Sequence, residues 1–145
     1  MAKISLDRFT RALNLEVLES CGKDSLEIET SEITRPGLQL AGFFDYFAFN
    51  RVQVFGKVEA AYVDLMSEGE RLRAFDRLFS YKIPCAVISR ELEPSSEMLS
   101  MIKKHGRVLM RSNQATSKLE HTLINYLVAE PVSYTHLTLP TICSV

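Results

Sequence analysis

The amino-acid sequence predicts an α/β domain with a small, mostly parallel sheet flanked by helices. In its second half, short apolar runs of strand length alternate with segments whose apolar residues recur every three or four positions. That order builds parallel strands covered by crossover helices. A chain of 145 residues, 46% apolar and 24% charged, also suffices for one domain with a real core but not comfortably for two.

The elements follow in order. Ser5 can cap a short helix with Leu6, Phe9 and Leu13 on one face. Glu16-Val17-Leu18 reads as the first strand, and after the turn Cys21 to Asp24 the alternation of Leu26, Ile28 and Thr30 with Glu27 and Glu29 predicts a strand with one wet face. Ser31 to Gly42 reads as a structured loop with an extended piece at Leu38 to Ala41, since Arg35 precedes a proline and is biased away from the helical region. Arg51 to Phe55 is the next strand, with Val52 and Val54 on one face. Two helices follow, one presenting Val58, Ala61, Tyr62 and Leu65 and one presenting Leu72, Phe75, Leu78 and Phe79, with a break at Gly69. Pro84 to Ile88 reads as a buried strand, Pro94-Ser95-Ser96 offers a break and a cap to a helix ending at His105-Gly106, Val108 to Met110 reads as a strand, and Thr116 to Val128 as the last helix.

Charge and cysteine usage exclude several functions. With 17 basic and 18 acidic side chains the net charge is -1, which argues against a nucleic-acid partner. No apolar run reaches the roughly 18 residues of a bilayer span, so no membrane partner is expected and the chain is expected in the cytoplasm. Cys21, Cys85 and Cys143 are widely spaced, which predicts reduced thiols, no disulfide framework and no metal site. Cys85, inside an apolar run, reads as a small buried hydrophobe. His105 reads as a charge at a helix end, and His121 as solvent-facing. The cluster Arg71, Arg73 and Arg77 interleaves with Glu68, Glu70 and Asp76 as an ion-paired wet face, and most of the aromatics between Phe43 and Phe49 are expected in the core.

Chemistry concentrates between Thr30 and Phe47. Ser31, Arg35 and Gly37 are the candidate ligand-binding residues, because a hydroxyl, a guanidinium and glycine amides in one loop can hold an anion or a polar ligand. The other explanation stays open: Pro36 and Gly37 only shape a turn while Arg35 pairs with a nearby carboxylate. No catalytic residue is expected. A phosphate-cradling loop requires G-x-x-x-x-G-K-[ST], whereas Gly22-Lys23 is followed by Asp24 with Val17 five positions before the glycine, and Gly56-Lys57 is followed by Val58.

The stretch SEITRPGLQLAGFFDYF, Ser31 to Phe47, closely resembles the amino-terminal domains of bacterial HPr serine kinase/phosphorylases. RVQVFGK from Arg51, PCAVISRELEP from Pro84, and the segment Arg111 to Tyr126 resemble the family's later elements in the same order. The resemblance implies a regulatory or assembly domain at 1–131. The intact parent phosphorylates and dephosphorylates a serine of the phosphocarrier HPr, in the control of carbon metabolism. It uses ATP or pyrophosphate with magnesium in a separate P-loop domain, and it assembles as a hexamer. HPr is then a partner of the catalytic domain, and no cofactor is expected in this fragment. The fold also looks similar to the amino-terminal domains of Mur ligases, although the spacing of Ser31 and Arg35 departs from their nucleotide loop. A small-ligand sensor of phosphometabolites or nucleotides, or a purely structural oligomerisation module with the aromatic stretch as its contact, are the alternative functions.

Residues 132–145 break the texture of the chain. VSYTHLTLPT, Val132 to Thr141, resembles a translated sequencing adapter, which implies a non-native tail in which His136 and Cys143 carry no role. A natural strand-forming terminus is the alternative, since the alternation of Thr and Leu favours strands.

Overall fold

The computed structural model describes residues 2–130, so the tail expected at 132–145, with His136 and Cys143, lies outside the described residues. In chain order the elements are β1 (Ala2–Ser5), α1 (Leu6–Leu13), β2 (Glu16–Glu19), β3 (Ser25–Ile28), β4 (Ile33–Thr34), α2 (Gly37–Leu40), β5 (Val52–Phe55), α3 (Lys57–Asp64), α4 (Glu68–Ser80), β6 (Ala86–Ile88), α5 (Ser96–His105), β7 (Leu109–Arg111) and α6 (Thr116–Ala129). A five-stranded sheet runs in the order β2-β7-β6-β5-β4. Strands β4 to β7 are mutually parallel, and only the edge strand β2 is antiparallel, so the expected α/β architecture is what the chain adopts. A second, two-stranded antiparallel sheet pairs β1 with β3.

Alternation along the strands divides two cores. Val52, Val54, Val87 and Met110 point to one face, where α1, α6 and the β1–β3 pair contribute Phe9, Leu119, Leu123, Ile4, Leu26 and Ile28. Phe55, Ala86, Ile88 and Leu109 point to the other, packed on Phe75, Leu78 and Phe79 of α4 and Met98 and Ile102 of α5. Covered on both faces, β5 is buried throughout, Gln53 included. Its Nε2 donates to the Ala48 and Arg51 carbonyls, while its buried Oε1 has no partner among the described residues.

Local signals fix several boundaries. Ser5 Oγ accepts from the Arg8 amide at 3.0 Å, and Ser95 Oγ accepts from the Met98 amide at 3.1 Å, each starting a helix where expected. Gly106 ends α5 in the left-handed conformation, φ 70°.

Other expectations are corrected. Glu16–Glu19 is the second strand, because Ala2–Ser5 finds its partner in β3, more than twenty residues away. The extended piece between Ser31 and Gly42 is Ile33–Thr34, while Gly37–Leu40 forms a single helical turn, started by Pro36 and closed where Gly42 turns left-handed at φ 102°. The break between α3 and α4 falls at Leu65–Ser67 and not at Gly69. Ser67 Oγ accepts from the Glu70 amide while Glu70 Oε1 accepts from the Ser67 amide, a reciprocal cap that places Gly69 inside the first turn of α4. Of the aromatics between Phe43 and Phe49, only Phe44 and Phe47 are buried, Phe44 stacked on Tyr81 and Phe47 edge-on to it, whereas Phe43, Tyr46 and Phe49 are exposed. The charges of α4 do not pair along their own helix. Arg71 binds Glu97, Asp76 binds Lys104 and His105, all on α5, and Arg77 lies over the Phe44 ring. Helix α3 faces the opposite way from expectation: it buries Glu59 and Val63 and leaves Val58, Tyr62 and Leu65 exposed.

Candidate functional site

In a parallel sheet the carboxyl ends of the strands feed the amino ends of the following helices, and polar groups converge there. Four successive parallel strands place residues at this edge. Arg35 directly follows β4, Gly56 follows β5 and caps α3, Ser89 follows β6, and Thr116 opens α6 a few residues after β7.

These residues form one cluster. Arg35 Nη2 donates to Glu59 Oε1 at 2.7 Å, with Nε at 3.2 Å from both oxygens of the same carboxylate. Arg35 Nη1 donates to Glu120 Oε2 at 3.1 Å. Glu59 also accepts from the Gly56 amide at 2.8 Å, so this carboxylate, only 5% exposed, satisfies the start of its own helix and neutralises the guanidinium together. Ser89 Oγ and Thr116 Oγ1 share a buried hydrogen bond at 2.6 Å. Gly56 is required by proximity. A Cβ there would lie 2.6 Å from Thr116 Oγ1 and 3.0 Å from Arg35 Nη2, closer than packed atoms tolerate. Burial works to lower the Arg35 guanidinium, but the hydrogen bonds and charges of Glu59 and Glu120 outweigh it and hold the group above its ordinary value.

One guanidinium against two carboxylates leaves the cluster with a formal charge of -1. It therefore presents no surplus cation to an anion, and its chemistry is that of a fastener joining β4, α3 and α6. Beside it, a cavity of about 120 Å³ opens between α3 and the β6–α5 connection, walled by Phe55, Val63, Phe75, Ile88 and Met98. The wall of this connection holds two consecutive left-handed residues, Arg90 (φ 59°) and Glu91 (φ 53°), pinned by amide donation to the Gln114 and Ser112 carbonyls, each at 2.8 Å.

Of the residues singled out by sequence, Arg35 and Gly37 reach this edge, and a Cβ on Gly37 would sit 3.8 Å from Glu59 Oε2. Ser31 precedes β4 and so stands at the strand's other end. Sequence reasoning missed Glu59, Glu120, Ser89 and Thr116. The signal for Glu59 was present, an acid three residues after a glycine that ends a strand, but the apolar residues of α3 outweighed it. Glu120, Ser89 and Thr116 carry no local signal, because only the fold brings them to Arg35.

The family model described as HPr Serine kinase N terminus matches residues 4–127, which span this cluster and both cores. The chain belongs to the HPr serine kinase N-terminus family. It is 44% identical to the HPr kinase/phosphorylase of Alkaliphilus metalliredigens, over 88% of this chain and 41% of that one. With the HPr kinase/phosphorylase of Caldanaerobacter subterraneus subsp. tengcongensis it shares 40% identity over 88% of this chain and 42% of that one. The chain thus spans about two fifths of the length of these relatives. Among solved structures, the CBS and DRTGG regulatory region of Clostridium perfringens pyrophosphatase, complexed with the activator diadenosine tetraphosphate, aligns with a TM-score of 0.58. That alignment covers 83% of this chain and 46% of the other at 12% identity, a likeness of fold alone. No helix among the described residues of this HPr serine kinase N-terminal chain is long and apolar enough to cross a membrane.

Proposed function

We propose that residues 1–131 act as the non-catalytic regulatory or assembly domain of a cytoplasmic HPr kinase/phosphorylase, and that 132–145 are a non-native tail. The parent phosphorylates and dephosphorylates a serine of HPr with ATP or pyrophosphate and magnesium, as a hexamer, through a domain beyond this chain. One observation carries the non-catalytic reading. The strand edge where an α/β sheet would take a nucleotide is closed by Arg35, Glu59 and Glu120 and bears a net negative charge. These residues do not fit a magnesium nucleotide. The only guanidinium of the cluster is already bound, and the sequence has no G-x-x-x-x-G-K-[ST] loop.

The test uses the full-length relative from Alkaliphilus metalliredigens. Deleting the region that matches this chain is expected to leave ATP-dependent phosphorylation of HPr measurable while changing the oligomeric mass or the response to metabolites. Complete loss of phosphotransfer, in a remainder that still folds and binds nucleotide, overturns the non-catalytic role.

A second reading makes the loop Ser31 to Gly42 a sensor, with Ser31, Arg35 and Gly37 binding a phosphorylated metabolite or nucleotide. Its support is the fold shared with the regulatory region of the Clostridium perfringens pyrophosphatase. A ligand would have to draw Arg35 away from Glu59 or Glu120. Calorimetry with sugar phosphates and nucleotides decides it: heat that Arg35→Met abolishes supports the sensor, and none rejects it.

A further inference from the structure

We propose that the cleft between α2, α3 and α4 binds a small monocarboxylic acid that carries a hydroxyl group on an apolar body. This goes beyond the readings above, since it needs neither Ser31 nor Arg35. The cleft has a volume of about 420 Å³, and Leu40, Phe44, Met66 and Ala74 give it a largely apolar lining. Small-molecule sites have this size and this kind of wall, with a few polar groups placed to orient the ligand. One such group is Gln39. It is 7% exposed, lines the cleft, and makes no side-chain hydrogen bond among the described residues. The unpartnered amide oxygens that are sealed from solvent are those of Gln53 and Gln114, so the Gln39 amide reaches open space, and the cleft is that space. An amide this deep is unfavourable until something satisfies it.

The second observation is a pair of guanidiniums. Arg73 and Arg77 stand one turn apart on α4 and line the same cleft, and neither has an ion-pair partner among the described residues. By contrast Arg8, Arg11, Arg35, Arg51, Arg71 and Arg111 each hold a carboxylate. Like charges at this spacing repel, and an anion between them relieves the repulsion. Arg77 lies 4.1 Å over the centre of the Phe44 ring, which keeps its guanidinium at the cleft wall. Charge then selects the ligand. Glu70 lines the cleft too, its carboxylate accepting from the Ser67 amide, so two guanidiniums against one carboxylate leave a formal surplus of +1. A single carboxylate neutralises that surplus and matches the planar fork of a guanidinium. A phosphate monoester, with a charge of roughly -2, overshoots it beside Glu70. The Gln39 amide offers donors and an acceptor at once, and a hydroxyl, which also does both, suits it better than a second charge. The apolar lining takes the body of the molecule.

Titration of the full 145-residue chain with phenyllactate, followed by calorimetry and by amide chemical shifts, tests this. Saturable binding is expected with a dissociation constant on the order of 1 mM, as befits about a dozen non-hydrogen atoms, and with the shifts concentrated around Gln39, Ala74 and Arg77. Arg73→Met and Arg77→Met should each weaken it about tenfold. Both positions are exposed, and far-ultraviolet circular dichroism verifies that the variants fold. Gln39→Leu gives the selective readout: it should weaken phenyllactate about fivefold and leave phenylpropionate, which lacks the hydroxyl, unchanged. Without ligand the same variant should melt at a higher temperature, because an unpaired amide gives way to an apolar group of similar size. Absence of saturable binding, tighter binding of inorganic phosphate at the same residues, equal loss of both acids in Gln39→Leu, or a lower melting temperature of that variant overturns the site. The sugar-phosphate calorimetry above turns on Arg35, so the two ligand readings fail separately.

Discussion

At the scale of single residues, the cluster at the strand edge is asymmetric, and the asymmetry orders its substitutions. Glu59 is almost fully buried and, among the described residues, its carboxylate has Arg35 as its one cationic partner, whereas Arg35 is about a third exposed and has two carboxylates. Removing one member of a buried pair costs ~3–5 kcal/mol because the other charge is left unpaired inside. Arg35→Met therefore costs most. Glu59→Gln costs less, since Glu120 and solvent still serve Arg35, and Glu120→Gln costs least. Urea unfolding of the three variants checks the order, and an Arg35→Met variant as stable as Glu120→Gln refutes it. Cys85 gives a second prediction. Full burial pushes its thiol up to about 12 from an ordinary 9.0. A folded value raised above the unfolded one contributes stability that is complete below pH 9 and lost as pH climbs toward 12. The urea midpoint should fall over that window more steeply in the parent chain than in Cys85→Ala. In the native state at pH 8, iodoacetamide should leave Cys85 unmodified. Arg35 was legible from sequence as the centre of something, with anion binding and carboxylate pairing both open. The pairing is what the structure contains, but its partners lie 24 and 85 residues away and no local pattern announces them.

At the scale of elements, α1 and α5 are legible from ends that carry their own chemistry, and α6 from its apolar periodicity alone. Ser95 and Gly106 define α5 because a hydroxyl can accept an orphan amide and a glycine can turn left-handed without a Cβ penalty. Both ends are predicted to contribute measurably. Ser95→Ala should cost ~1 kcal/mol through the lost cap, and Gly106→Ala about as much through the φ of 70°, with nothing near the new Cβ to clash. Because the two ends are a full helix apart, the double variant should show the sum in thermal or urea unfolding, and strong non-additivity would mean that α5 does not fold as one rigid element. Elements whose placement depends on distant partners were illegible. Four residues of β1 have no identity until β3 supplies the ladder, and the turn of α2 hides in a stretch whose proline and glycines read equally well as loop. Helix α3 was recognised as a helix but rotated. Its period of 3.6 was right, yet periodicity assigns the apolar side to the core, and here a carboxylate with an arginine and an amide to bind took that side instead.

At the scale of the whole molecule, the sheet is a wall shared by two cores, and this fixes how the domain should open. Strands β5 and β6 are buried on both faces, so their amides are exposed only when both helical layers leave together. Helix α3 anchors itself by Val63 and the Glu59 cluster and otherwise faces water. Local opening draws on regions with few buried apolar contacts, while exchange from a doubly covered strand requires global unfolding. In dilute solution, the amides of Ala61 to Asp64 should therefore exchange much faster than those of Val52 to Phe55 and Ala86 to Ile88. The strand amides should all share one opening free energy, equal to that from urea unfolding. Arg35→Met adds a control, since releasing Glu59 should accelerate exchange in α3 beyond the change in global stability, if the cluster fastens that helix to the sheet. Equal protection of α3 and β5 in dilute solution would mean that the helix opens only with the whole domain, and the fastener would then be a consequence of the fold and not one of its causes.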